Sequence, residues 1–107
     1  MSNKVFTYLG FAQRAGKLVS GDSGGEAVFK KGKAKMVIVA EDAPERTKDN
    51  FSFKAKEKDI PFRVFGTKME LGRFIGKSPR SVLVITDQQF ADTILRVFND
   101  KFNGDEL

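Results

Sequence analysis

Two apolar runs, Met36-Val37-Ile38-Val39-Ala40 and, following Ser81, Val82-Leu83-Val84-Ile85, restrict what this chain can become. A strand with one wet face alternates apolar and polar residues. These runs do not alternate and are rich in β-branched residues, so each fits a strand covered on both faces. The segments between and around them carry helical spacing. Alternation of this kind predicts a sheet sandwiched between helices, in the order α-β-α-β-α-β-α-β-α, and with no repeats or linkers it predicts a single domain over 1–107.

The local signals divide the chain as follows. Ser2 is positioned to cap a first helix whose Val5, Leu9 and Ala12 recur at helical spacing, with Gly16 as its stop. Leu18-Val19 is long enough only for an edge strand. Gly21 permits a tight turn, and Ser23 with Glu26 has the spacing of a capping box for a helix ending at Lys30-Lys31-Gly32. Pro44 is read just inside the next helix start, where its missing N–H costs nothing, and that helix runs to about Lys58 on a thin apolar pattern of Phe51, Phe53 and Ala55. Asp59-Ile60-Pro61 breaks it before a short strand at Phe62-Arg63-Val64-Phe65. Thr67 with Glu70 repeats the capping-box spacing, ahead of Leu71, Phe74 and Ile75 on one side and Gly76 at the end. Thr86 with Gln89 repeats it again before the last helix. There Phe90, Ala91, Ile94, Leu95, Val97, Phe98 and Phe102 form a core-facing stripe stopped by Asn103-Gly104.

Composition excludes several functions. Gly21-Asp22-Ser23-Gly24-Gly25 spells the nucleophile motif of trypsin-like proteases, but the chain has no histidine, so Ser23 has no general base. Without Cys or His, thiol chemistry, disulfides and a zinc site are excluded in practice, and no cofactor or metal is expected. No apolar run approaches a membrane span and no signal peptide is evident, which predicts a cytoplasmic protein without a membrane partner. Eleven Phe supply the core. The net charge of +5 is uneven: residues 1–40 carry net +5, residues 41–86 net +3 and residues 87–107 net −3. Such asymmetry suits either a polyanion footprint or a solvated cationic surface.

The spaced motifs Gly32-x-Ala34-Lys35-x-Val37-x-Val39-Ala40-Glu41-Asp42-x-Pro44, Ile60-Pro61 and Lys68-x-x-Leu71-Gly72-x-x-Ile75-Gly76 together resemble the kink-turn RNA-binding family of large-subunit ribosomal proteins, proteins seven-Ae and thirty-e. The opening Leu9-Gly10-Phe11-Ala12-Gln13-Arg14-Ala15-Gly16-Lys17-Leu18 is similar to that of its small bacterial YlxQ-type members. The resemblance runs through nearly the whole chain in order.

It implies a three-layer α/β/α sandwich with a small mixed four-stranded sheet, like ribosomal protein thirty-e. It also implies a non-enzymatic, RNA-binding protein, with structured RNA, ribosomal RNA above all, as partner and ribosomal or translation-associated proteins nearby; separately, a monomer is expected. The family's RNA face corresponds here to the helix start from Gly21, to the strand exit at Ala40-Glu41-Asp42, and to the loop from Gly76 to Arg80. The family's helix start reads Gly-x-Asn-Glu-x-x-Lys. This chain keeps Gly21 but has Ser23 for the Asn, Gly24 for the Glu and Ala27 for the Lys, so base-edge acceptors and one phosphate cation are absent. Pro44 stands where some members place an acidic side chain against a flipped base, whereas Lys68 and the polar Ser78 loop are kept.

The RNA-binding residues expected on these grounds are Gly21, Asp22, Ser23, Gly24, Gly25, Ala27, Glu41, Pro44, Lys68, Lys77, Ser78, Pro79 and Arg80. Gly24 and Gly25 are expected to uncover amides for a phosphate, with Lys68, Lys77 and Arg80 adding charge and Asp22 opposing it. Two other readings start from the same residues. A protein-interaction adaptor would use Phe51 and Phe53 as its contact, and a small metal-dependent enzyme would gather Glu41, Asp42 and Glu45 around a divalent ion.

Overall fold

A computed structural model describes residues 4–100. The elements alternate throughout: α1 (Lys4–Arg14), β1 (Leu18–Ser20), α2 (Asp22–Lys30), β2 (Met36–Val39), α3 (Glu45–Lys58), β3 (Phe62–Val64), α4 (Lys68–Phe74), β4 (Val82–Ile85) and α5 (Gln88–Asn99). The four strands form one mixed sheet in the order β1-β4-β2-β3. β2 and β3 are parallel, and the other two pairings are antiparallel. The two apolar runs occupy the central positions with every residue buried, and Leu18–Ser20 is an edge strand.

Register assigns the two faces. Val19, Val84, Val37 and Phe62 align across the sheet on the side covered by α2 and α3. There α2 lies close to the strands, because a Cβ on Gly25 would come within 3.2 Å of both Phe51 and Val84. The opposite row runs Ser20, Leu83, Ile38, Arg63, beneath α1, α4 and α5. On that side Phe6 stacks on Phe74 at 4.4 Å and tilts against Phe65 at 4.8 Å, while Phe65 meets Phe98 edge-on at 5.2 Å. Offset and edge-to-face rings add directional attraction to the buried area, so these contacts set how the three helices lie together.

The thin pattern of α3 resolves into a single buried line. Thr47, Phe51 and Ala55, four residues apart, face the sheet, and Phe51 is fully buried against Phe29 and Gly25. Phe53 lies off that line at 62% exposure, so the expected pairing of Phe51 with Phe53 as one contact surface is corrected. Leu71 of α4 and Ile75 at its end are buried, whereas Phe74 remains 42% exposed beside Phe6.

The capping-box spacing alone does not decide where a helix is capped. At Thr67 both bonds of the capping box form: Glu70 N donates to Thr67 Oγ1 at 3.1 Å, and Thr67 N donates to Glu70 Oε1 at 2.9 Å. At α2 the expected box does not form. Gly21 is the cap, in a φ of 96° that glycine accepts without strain, so the helix begins ahead of Ser23. Glu26 instead accepts from Asn50 Nδ2 at 3.1 Å. At α5 Asp87 takes the cap expected of Thr86, accepting from Phe90 N at 3.0 Å. Pro44 is itself the cap of α3, one position ahead of the expected place. The expected cap at Ser2, the last stripe residue Phe102 and the stop at Asn103-Gly104 lie outside the described residues.

Candidate nucleic-acid interface

Strand direction brings four chain segments to one end of the sheet. β1, β2 and β3 all exit there, β4 enters there, and α2, α3 and α4 each start there. Backbone hydrogen bonds tie the segments together. Gly21 N donates to Val82 O at 2.9 Å, Ala40 N to Ser81 O at 2.9 Å, Glu41 N to Gly66 O at 2.7 Å and Arg80 N to Lys68 O at 3.0 Å. Lys68 N donates to the Asp42 carboxylate at 2.8 Å, which spends that carboxylate on the start of α4.

Arg80 completes the lock with its side chain. Its Nε donates to Ser20 Oγ at 3.0 Å, and its Nη1 donates to Ser78 Oγ at 2.7 Å and to the Ser78 carbonyl at 3.2 Å. The guanidinium thus pins the loop before β4 to the end of β1, and no carboxylate among the described residues neutralises it. The same loop lies directly on Gly72, where a Cβ would collide with the Ser78 carbonyl. Only glycine leaves room for that contact.

The start of α2 presents amides to solvent. The first three N–H groups of a helix precede its first internal hydrogen bond, which here runs from Gly25 N to Gly21 O at 2.9 Å. Among the described residues no side chain caps them. Asp22, Ser23 and Gly24 therefore carry the open N–H groups at the positive end of the helix dipole. This corrects the expectation for Gly25, while the Gly24 amide is open as expected. Gly25 has its amide bonded and its α-carbon buried, and Gly24 is half-buried with Val19 Cγ1 2.8 Å from where a Cβ would stand. Both glycines let α2 approach the sheet.

A model of the ribosomal protein L7Ae/L30e/S12e/Gadd45 family matches residues 3–95. The chain belongs to this family. Two relatives named RNA-binding protein YlxQ, from Bacillus subtilis (strain 168) and Enterococcus faecium, are 34% and 39% identical over 94 and 88 residues. These matches span 88% and 82% of this chain and 94% and 84% of the relatives, in keeping with the YlxQ-type likeness of the sequence. Among solved structures, a protein of unknown function from Bacillus halodurans C superposes with a TM-score of 0.87 at 31% identity, covering 92% of this chain and 99% of that one. The Giardia lamblia 15.5kD RNA binding protein shares the fold, with a TM-score of 0.76 at 21% identity over 88% of this chain and 87% of its own.

On this family scaffold, Ser23 and Ala27 lie one helical turn apart on the exposed side of α2, lining a shallow concavity with Asp22, Glu26 and Lys30. The Asp22 carboxylate is drawn toward α3, where Thr47 Oγ1 donates to it at 3.4 Å. Glu41 and Pro44 are exposed at the exit of β2, and Lys77, Ser78 and Pro79 are exposed on the loop before β4. Lys68 is half-buried at the start of α4.

Charge around this end is mixed: Arg46, Lys48, Lys68, Lys77 and Arg80 stand among Asp22, Glu41, Asp42 and Glu45, with Lys48 paired to Glu45 at 3.5 Å. The expected positive ring is thus offset by carboxylates, and any pull on an anion must come chiefly from the amides. Glu41, Asp42 and Glu45 do not gather around a point: among the described residues no three acidic side chains are placed to hold a metal ion. Among them too, no helix is long and apolar enough to cross a membrane.

Sequence reasoning passed over the supporting residues. Ser20 and Gly72 hold the loop, Asp42 caps α4 and Thr47 orients Asp22. Only Gly72 and Asp42 left a trace, as members of the spaced motifs.

Proposed function

We propose that this chain is a non-enzymatic, ribosome-associated RNA-binding domain that recognises kink-turn-like RNA at the platform formed by the start of α2, the exit of β2, the start of α4 and the loop before β4. It acts as a cytoplasmic monomer. One observation carries the reading: three open amides at the start of α2 are held at a fixed position against three other segments. Rigid amides bind a phosphate through backbone geometry, without needing the reading side chains that this chain lacks. The relatives named as RNA-binding proteins support the same partner class. With Ser23, Gly24 and Ala27 at the reading positions, recognition rests on shape and phosphate more than on base edges, so binding is weaker than a full motif would give.

An electrophoretic titration of a kink-turn RNA against a plain duplex of equal length tests the proposal. The kinked RNA is expected to bind more tightly, and both affinities to fall with salt. Equal affinity for the two removes the kink-specific claim. The exposed Phe53 favours a second reading, a protein-interaction adaptor on the same scaffold, although the buried Phe51 takes no part in such a surface.

A further inference from the structure

The end of the sheet opposite the platform collects lysines. α2 and α3 both stop there, carrying Lys30, Lys31, Lys56 and Lys58. The segment after α2 adds Lys33 and Lys35, and the turn before β1 adds Lys17. Hydrogen bonds join these segments: Lys35 N donates to Ile85 O at 2.8 Å and Thr86 N donates to Lys17 O at 2.9 Å, so Lys17 and Lys35 flank the end of β4. Lys35 and Lys58 line one cleft of about 210 Å³ with Gly32 and Ile60. All of these lysines are exposed except Lys35, which is half-buried.

Among the described residues acidic neighbours are few. Glu57 and Asp59 lie at the end of α3, and the Asp87 carboxylate is held by Phe90 N. Among the described residues none of these ammonium groups is in an ion pair; the pair present there, Lys48–Glu45, lies at the platform end. Cations at the last turns of α2 and α3 offset the negative ends of the helix dipoles. That accounts for Lys30, Lys31, Lys56 and Lys58 but not for Lys17, Lys33 and Lys35, which lie outside the helices. A field of one sign gathered over one end of a molecule attracts a polyanion, and lysines bind phosphate as point charges without base information.

We propose that this lysine end is a second RNA contact, gripping the phosphodiester backbone of a helical segment other than the one seated on the platform. It rests on the proposed function only in taking RNA as the shared partner. The nine-residue α2, about 13 Å long, separates the platform amides from Lys31, and Lys30 lies between them, lining the concavity that holds Asp22 and Ser23. Lys17, Lys31, Lys33, Lys35 and Lys58 lie outside that concavity, so one chain offers RNA two contacts.

The test compares the wild-type chain with Lys31→Gln/Lys33→Gln/Lys58→Gln on two probes, a plain RNA duplex and a short-stemmed kink-turn RNA, over a series of salt concentrations. Duplex affinity at low salt is expected to drop about tenfold or more, with the log-affinity against log-salt slope shrinking by about two to three, while kink-turn affinity holds. Lys17→Gln/Lys33→Gln, outside every helix, is expected to reproduce the effect more weakly and guards against a folding defect. Unchanged duplex affinity and slope in both variants overturn the proposal. So does tighter wild-type binding to phosphatidylserine vesicles than to duplex. If the wild type shows no preference for the kinked probe but the lysine variants still lose the duplex, the platform reading fails and the second contact stands.

Discussion

At the platform end of the sheet, helices begin, three amides of α2 stand open, and Asp22, Glu41, Asp42 and Glu45 offset the cations around them. At the far end two of the same helices finish, and Lys17, Lys31, Lys33 and Lys58 extend into solvent with few acids between them. On the two proposals above, helix direction divides two ways of attracting phosphate between two places. Amides in a packed helix cannot move, so they would accept an anion at one position and exclude others. Lysine heads on flexible stems accept a backbone in many arrangements and respond steeply to salt. The net charge therefore says little about where discrimination resides.

The largest expected effect comes from Gly72→Ala. Its new methyl group meets the Ser78 carbonyl, which belongs to backbone and cannot swing aside. The loop before β4 should shift, with a loss of about 3 kcal/mol in denaturant unfolding. Kink-turn binding should fall with it, while duplex binding through the lysines persists under conditions where the chain remains folded. Equal loss at both ends would break the contrast.

A second variant sharpens the contrast from the other side. Ser23→Asn with Ala27→Lys restores a base-edge amide and a phosphate cation on the exposed face of α2, and should tighten kink-turn binding tenfold or more at about 1–3 kcal/mol per good base contact. Duplex affinity measured in parallel should stay nearly level. Gly24→Glu is left out of this variant because Val19 stands 2.8 Å from the new Cβ.

The smallest expected effect is that of Thr67→Ala. Losing the capping box should lower stability by about 1 kcal/mol, seen as a reduced unfolding midpoint, and weaken the platform slightly through α4. No change in duplex binding is expected.

Much of this architecture was legible in the residues. Apolar runs long enough to be strands, separated by helical spacing, fix the element order, and Thr67 with Glu70 marks a helix start because no better cap stands nearby. The same spacing misled at Ser23 and Thr86. Gly21 is held by Val82 across the sheet, so a long-range bond decides where α2 begins, and Asp87 lies next to Thr86 with a stronger acceptor. Phe51 and Phe53 are indistinguishable by composition. Phe51 is buried because Gly25 of α2 leaves a space for its ring, a fact of packing between elements distant in sequence.

The expected site was legible as a set of segments and misjudged in its chemistry. The motif locates the start of α2, the exit of β2 and the loop before β4, which the fold brings together. Gly25 reads as uncovered backbone, although its amide is bonded to Gly21, because no sequence signal distinguishes a glycine that admits a ligand from one that admits a strand. Arg80 reads as a free cation, yet its partners Ser20 and Ser78 engage it only once β1 lies beside β4. Gly72, the residue on which the loop rests, differs from any other helical glycine only through what the distant loop does.

Gly25 has a further consequence. At Gly25 no side chain stands between the α2 backbone and the Phe51–Val84 surface, so at that point the helix rests directly on it. The nine residues of the helix make a rod about 13 Å long, with one tip in each of the two proposed contact regions. On those proposals α2 would work as a gauge block: folded RNA whose two features match that spacing would engage both tips at once, and RNA with any other spacing would engage one.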